Sequence, residues 1–315
     1  MVPPPLGGPS RAFSTSSVRK WQYPYSQALS IAGPSLKKKT ARTQVNTEAT
    51  SETMKMPLPM GLRLQPPPRI ALPPITGTEE GKRMMGYYVA NISDPGHQVI
   101  METEADYVFA NNQDAGPYFL KVVQDLAPIY LASLGLKGKF TLHREATNDK
   151  SRPDVIMKYN GKVILALDYK GPNCIYRKEL ELCSAPSVSD ALKRLQQSQG
   201  EASDAKKKGR PAKNPGDAAK SLCYDKNVNQ FTRALLKQGL KYRVKFGAPV
   251  VVFYDYDHLM AMEPPSDLKA GNNCLVDVVL CTESTKSTEG NLVKMPDNHV
   301  SVLMRYVVMA AQRYG

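Results

Sequence analysis

Five consecutive apolar residues, Val163, Ile164, Leu165, Ala166 and Leu167, run directly into Asp168, Tyr169 and Lys170. An apolar run with no alternation predicts a strand covered on both faces, and only a sheet with layers on either side provides that cover. Asp168 and Lys170 stand two positions apart, so both project to one face. Charges at the end of a buried strand cost stability unless they are paired or hold a metal. A compensating partner is therefore expected beside them.

The nearest partner strand opens with Arg152, Pro153 and Asp154 and spans 154–159; the apolar strand spans 162–170. Asn160 and Gly161 lie between them, and Asn-Gly between two apolar stretches is a strong hairpin signal. Register then decides the chemistry. A plain two-residue turn sets Tyr159 opposite Lys162 and Asp154 opposite Leu167, with Asp168 on the other face. A three-residue loop with a bulge, or an equivalent bulge elsewhere, shifts the register by one. Asp154 then shares a face with Asp168 and Lys170. Only in that case do the two carboxylates converge. Two hard oxygen ligands would suit Mg²⁺ or Mn²⁺, with the backbone carbonyl of Tyr169 as a further ligand. The metal would polarise a scissile phosphate. Lys170 would orient the attacking water or stabilise charge on the phosphoryl oxygens.

Pro153-Asp154 followed, after 13 intervening residues, by Asp168-Tyr169-Lys170 resembles the PD-(D/E)XK nuclease superfamily. A hairpin joins the two halves, with a helix before and a helix after, as in that family. The resemblance covers roughly residues 100–256. It implies a restriction-endonuclease-like core, two metal-binding acids at Asp154 and Asp168, and a catalytic lysine at Lys170. It also implies a further acid from the element before the hairpin. Glu145 is the nearest candidate ligand, with Glu102 and Glu104 as alternatives. Gln238 and Tyr242 lie four apart on the next helix and share a face; the pair is similar to the QxxxY element of RecB-type members, which helps shape the site and hold the substrate.

Beyond the hairpin, residues 102–113 and 117–134 read as helices, with Pro117 in a first turn and Pro128 expected to kink or shorten the second. Residues 139–146 read as a strand and 227–246 as an amphipathic helix. Residues 249–256 and 274–282 read as strands, and 298–313 as a closing helix. The order predicts an α/β fold, a mixed central sheet flanked by helices. Residues 184–226 are polar and read mostly as an inserted loop. Its Lys206, Lys207, Lys208 and Arg210 lie in a run to Lys213 that resembles an AT-hook core, a flexible basic segment with salt-dependent phosphate affinity. Tyr254 to Asp257 read as a turn and edge rather than a second acidic site.

The net charge of +13 favours polyanionic partners, and no apolar run is long enough to predict a membrane span. The five cysteines form no CxxC pair, which argues against zinc ribbons, iron–sulfur clusters and a secreted disulfide framework. The four histidines are scattered and read as surface or half-buried residues. No P-loop, GxSxG or HExxH pattern occurs. Residues 1–94 hold 13 of the 25 prolines and read as a mostly disordered basic region ahead of a domain at 95–315. With no acid before Glu48, and Ser, Thr and Arg dense around Arg11 to Arg19, that region is similar to a mitochondrial presequence, although its Pro- and Gly-rich start opposes an amphipathic helix; Lys37 to Lys39 offer a nuclear alternative. The expected function is a Mg²⁺-dependent nuclease on DNA. The alternatives are an RNA-processing nuclease and a non-catalytic nucleic-acid-binding protein on the same fold.

Overall fold

The computed structural model describes residues 19–24, 53, 56–70, 98–103, 116–144, 153–171, 174–206, 221–255, 257–266, 274–282 and 299–315. Its strands are β1 (Arg19–Pro24), β2 (Gly61–Gln65), β3 (Gln98–Thr103), β4 (Phe140–Arg144), β5 (Val155–Tyr159), β6 (Lys162–Tyr169), β7 (Val250–Tyr254), β8 (His258–Glu263) and β9 (Leu275–Thr282). Its helices are α1 (Gly116–Ser133), α2 (Arg177–Leu182), α3 (Val188–Lys206), α4 (Gln230–Phe246) and α5 (His299–Tyr314).

Seven strands form one mixed sheet in the order β2-β9-β8-β7-β6-β5-β4. The pairs β2–β9 and β6–β7 are parallel. The remaining neighbours are antiparallel. The chain is thus an α/β protein with helices on both faces. One face packs on α1 and α5 through Leu126, Tyr130, Leu303 and Val307. The other packs on α4 through Leu235, Leu236, Leu240 and Tyr242. β6 lies between β5 and β7 under both layers, which is why its residues need no alternation.

The hairpin turn is the two-residue Asn160-Gly161, with φ of 51° and 79°. Asparagine and glycine are the residues that tolerate this left-handed backbone. Tyr159 pairs with Lys162 and Lys158 with Val163, but Met157 then pairs with Leu165. Ile164 is the extra residue of a bulge. Side-chain direction agrees, because Ile164 and Leu165 both enter the α1/α5 core, while Val163 and Ala166 pack on the α4 side. Past the bulge, Val155 opposes Leu167, so Asp154 falls opposite Asp168.

Helix α4 is bounded by side chains suited to its ends. The Asn229 side chain accepts from Phe231 N at 3.0 Å, and Gly247 closes the helix at φ 68°, an N-cap and a left-handed C-terminal turn. Glu179 on α2 accepts from Asn229 N at 3.1 Å and from the Thr232 hydroxyl, fixing the start of α4. Near its middle, a Cβ on Gly239 would lie 2.8 Å from Met262 Sδ and 3.3 Å from Phe253 Cε2. Glycine here lets the helix sit close to β7 and β8.

Several expectations are corrected. Residues 98–103 form β3, which pairs antiparallel with β1, where the start of a helix was expected at 102. Pro128 lies inside α1, which runs through it for 18 residues; packing of Ile129, Tyr130 and Leu131 in the core outweighs the lost hydrogen bond. Within the expected disordered stretch, Leu58, Met60 and Leu62 are buried and Gly61–Gln65 is a sheet strand. Within the expected loop at 184–226, α3 buries Ala191 and Leu195 against Met60, Ala185 and Leu222. Asp255 lies in a turn between two interior strands, not at an edge, and is fully buried. His299 is 1% exposed, and burial lowers its imidazole to about 3. Among the described residues, no helix is long and apolar enough to cross a membrane.

Candidate active site

The site lies where β5 begins and β6 ends. Asp168 is 5% exposed and Lys170 6%. Both face the α4 side of the sheet, beside Phe253 of the parallel neighbour β7. Asp154 stands at the rim as an exposed residue, but its carboxylate turns inward: Oδ2 accepts the N–H of Tyr169 at 2.7 Å.

Three donors converge on a single oxygen of Asp168. Tyr242 Oη donates to Oδ2 at 2.5 Å, Gln238 Nε2 at 2.8 Å and Lys170 Nζ at 3.0 Å. Gln238 Nε2 also lies 2.6 Å from Tyr242 Oη. The spacing of Gln238 and Tyr242 on α4 therefore does what the helical repeat allows, placing both on one carboxylate. Phe253 supports the arrangement from below: its ring centroid lies 5.6 Å from Lys170 Nζ and stacks at 6.4 Å on the Tyr242 ring.

The electrostatics follow from this crowding. Burial and then the negative charge of Asp168 push the Asp154 carboxyl up to about 7; a hydrogen bond with Asp168 pushes the same way, while the Tyr169 N–H and Lys170 oppose it. Burial, and the charge of Asp168 together with the hydrogen bond to it, raise the Tyr242 phenol well above its usual range. Tyr242 therefore stays a proton donor to Asp168 at any ordinary pH. A proton held near neutrality by one of two adjacent carboxylates is the mark of insufficient positive charge between them.

A divalent cation would supply that charge. The donors available are all oxygens, the carboxylates of Asp154 and Asp168 with the Tyr169 carbonyl as a third candidate, and they suit Mg²⁺ or Mn²⁺ rather than a soft metal. Among the described residues, no group of three or more His, Cys, Asp or Glu side chains gathers. Glu145 and Glu104 lie outside the described residues, and Glu102 belongs to β3. Lys206 ends α3, and Lys207, Lys208 and Arg210 lie outside the described residues.

Asp255 belongs to a different arrangement. Its register position lies next to Lys170, whose N–H donates to Tyr254 O at 2.8 Å. Its carboxylate accepts from Ile175 N at 2.7 Å and His258 N at 2.8 Å. It closes the β7–β8 turn and tethers residue 175. Phe253 is the site residue that sequence reasoning missed. Its position inside an apolar strand carried no sign of a role, because the parallel pairing with β6 spans more than 80 residues of chain.

Comparison with protein-family models, with characterised proteins and with solved structures finds no match for this chain.

Proposed function

We propose that this chain is a divalent-metal-dependent nuclease of the PD-(D/E)XK type, with a restriction-endonuclease-like core, acting on the phosphodiester bonds of DNA. The observation that carries the reading is the Ile164 bulge. It sets Asp154 opposite Asp168, on the face where Lys170, Gln238 and Tyr242 meet the same carboxylate. A surface ion pair would not be enclosed by three donors. The net charge of +13 supports a polyanionic substrate.

Asp154 and Asp168 would hold the metal, with the Tyr169 carbonyl beside them. When bound, the metal would polarise the phosphate and offset developing charge. The remaining work falls to the chain itself. Tyr242 and Gln238 hold Asp168 in one orientation through Oδ2, so its other oxygen points in a fixed direction. Lys170 keeps a cation at the site whether or not substrate is present, where it can hold a water or a phosphoryl oxygen. Phe253 limits the space Lys170 can explore.

Cleavage of labelled single- and double-stranded DNA and RNA with Mg²⁺ or Mn²⁺, wild type beside Asp168→Ala, tests the reading and separates DNA from RNA. The expected result is cleavage by wild type and a loss of about 100-fold or more in the variant. Equal cleavage by the two proteins would overturn it. A second reading, nucleic-acid binding without hydrolysis, is favoured by one observation: three donors already saturate one oxygen of Asp168. Intact binding with no cleavage by either protein would select it.

A further inference from the structure

Cys183 and Cys223 are 40 positions apart in sequence and meet in the core. Cys183 follows α2. Its N–H donates to Glu179 O at 3.1 Å, and its carbonyl accepts from Leu62 N on β2 at 2.8 Å. Cys223 sits in a single 3₁₀ turn, Leu222–Tyr224. Its N–H donates to the Ser221 hydroxyl at 3.1 Å, and its carbonyl accepts from Arg233 Nε on α4 at 2.9 Å. The neighbouring Leu222 N donates to Met60 O at 2.7 Å. Both segments are therefore tied to the same short stretch, Met60 to Leu62, at the start of β2. They close on Gly61, where an added Cβ would lie 2.8 Å from Cys183 O and 3.1 Å from Leu222 Cδ1. Both cysteines are 0% exposed and belong to the same core cluster, where each thiol perturbs the other. Neither takes part in the Asp154–Asp168 site.

We propose that Cys183 and Cys223 are a redox-active pair that closes to an intramolecular disulfide on two-electron oxidation by a peroxide. The bond would seal the base of segment 184–222, which contains α3 and the basic run beginning at Lys206. It would also join α2 to the turn that anchors α4 through Arg233. The proposal does not depend on the nuclease reading.

The chemistry balances with hydrogen peroxide, an uncharged oxidant small enough to reach a buried pair during local opening. The Cys223 thiolate attacks one peroxide oxygen, the O–O bond breaks, and the departing hydroxide takes up a proton as water. The sulfenic acid at Cys223 is then attacked by the Cys183 sulfur. The S–O bond breaks, the S–S bond forms, and the oxygen leaves as a second water with the Cys183 proton. Each sulfur is oxidised by one electron, and one peroxide is reduced to two waters. Cys223 is the attacking group. The hydrogen bond from the Cys183 thiol, that from Ser221 and the charge of Arg233 lower its thiol against the opposing effect of burial. The bond to Cys223 and burial raise the Cys183 thiol, which suits the second, resolving step.

Reduced full-length protein would be treated with a stoichiometric series of hydrogen peroxide, quenched, and analysed by intact mass and by a non-reducing proteolytic map. The expected result is a loss of two hydrogens, a single cross-linked pair of peptides containing Cys183 and Cys223, and a fall from five titratable thiols to three under denaturing conditions. A reductant should restore all five. In Cys183→Ala the expected product is a sulfenic acid at Cys223, trapped by dimedone. The wild-type map is decisive even if that variant fails to fold. Cys223 proceeding to sulfinic acid without a cross-link would overturn the proposal. So would oxidation of Cys274 alone, or a disulfide between any other pair.

Discussion

Asp154 is the residue whose behaviour reports most directly on the site. Its carboxyl titrates at about 7 in the fold against an ordinary 3.8. A raised folded value favours the protonated form, so the stability it contributes is complete below the ordinary value and is lost as pH rises through about 7. Chelator-treated protein should therefore melt at progressively lower temperature across that window. Asp154→Asn should flatten the decline, and added Mg²⁺ should restore the wild type most at the alkaline end. An unchanged slope in Asp154→Asn would show that the two carboxylates are not coupled. Tyr242 offers a second test. Tyr242→Phe keeps the ring on Phe253 and deletes one of three donors to a buried carboxylate. The expected cost is about 1 to 3 kcal/mol, read by urea denaturation, with a fall in cleavage from the loosened Asp168. A variant as stable and as active as the wild type would mean that Gln238 and Lys170 suffice.

At the scale of elements, the site depends on how closely α4 sits on β7. Gly239 sets that distance. An alanine there meets first the flexible end of Met262, which can move aside, so Gly239→Ala is expected to be mild. Gly239→Leu reaches Phe253, which the sheet holds on both sides. Overpacking of this kind costs about 1 to 3 kcal/mol, and here it also lifts Gln238 and Tyr242 away from Asp168. Thermal melting and cleavage should fall together in the leucine variant, and neither should change much in the alanine variant. Loss of activity without loss of stability would separate the helix position from its packing. The β5–β6 hairpin makes the complementary contribution. Its turn is regular, and the shift that brings the acids together comes from Ile164, three positions beyond the turn.

For the whole molecule, charge is the property that a nucleic-acid substrate would read. Positive charge binds phosphate by releasing counterions, so affinity should fall steeply with salt. Replacing Lys206, Lys207, Lys208 and Arg210 with alanine should reduce the slope of log affinity against log salt by about 0.9 for each residue that touches a duplex phosphate. Cleavage at saturating substrate should stay near the wild-type value, because phosphate affinity from a basic segment acts on binding rather than on the chemical step. Fluorescence anisotropy across a salt series would measure the slope. No change would place the binding surface elsewhere.

The central strand, the hairpin and the amphipathic helix α4 were legible in the sequence because each rests on local pattern. Five apolar residues require cover on both faces, Asn160-Gly161 suits a left-handed turn, and Gln238 and Tyr242 share a face by helical repeat alone. The need for a bulge was legible too, as a condition on parity, but its location was not. Ile164 and Leu165 are both apolar, so nothing local says that they point the same way; the α1/α5 core decides it. β2 and α3 were missed for a related reason. Alternation at Leu58, Met60 and Leu62, and helical spacing at Val188, Ala191 and Leu195, were present within Pro-rich and polar surroundings. What gives them structure is a parallel partner in β9 more than 200 residues away, and a small cluster shared between them. The sequence by itself determined which chemical groups are available and which periodicities carry them. Tertiary structure alone decided the register of Asp154 on Asp168, the closeness of α4 to Phe253, and the meeting of Cys183 with Cys223. Each joins residues distant in the chain, and contact energy between such residues has no local signature.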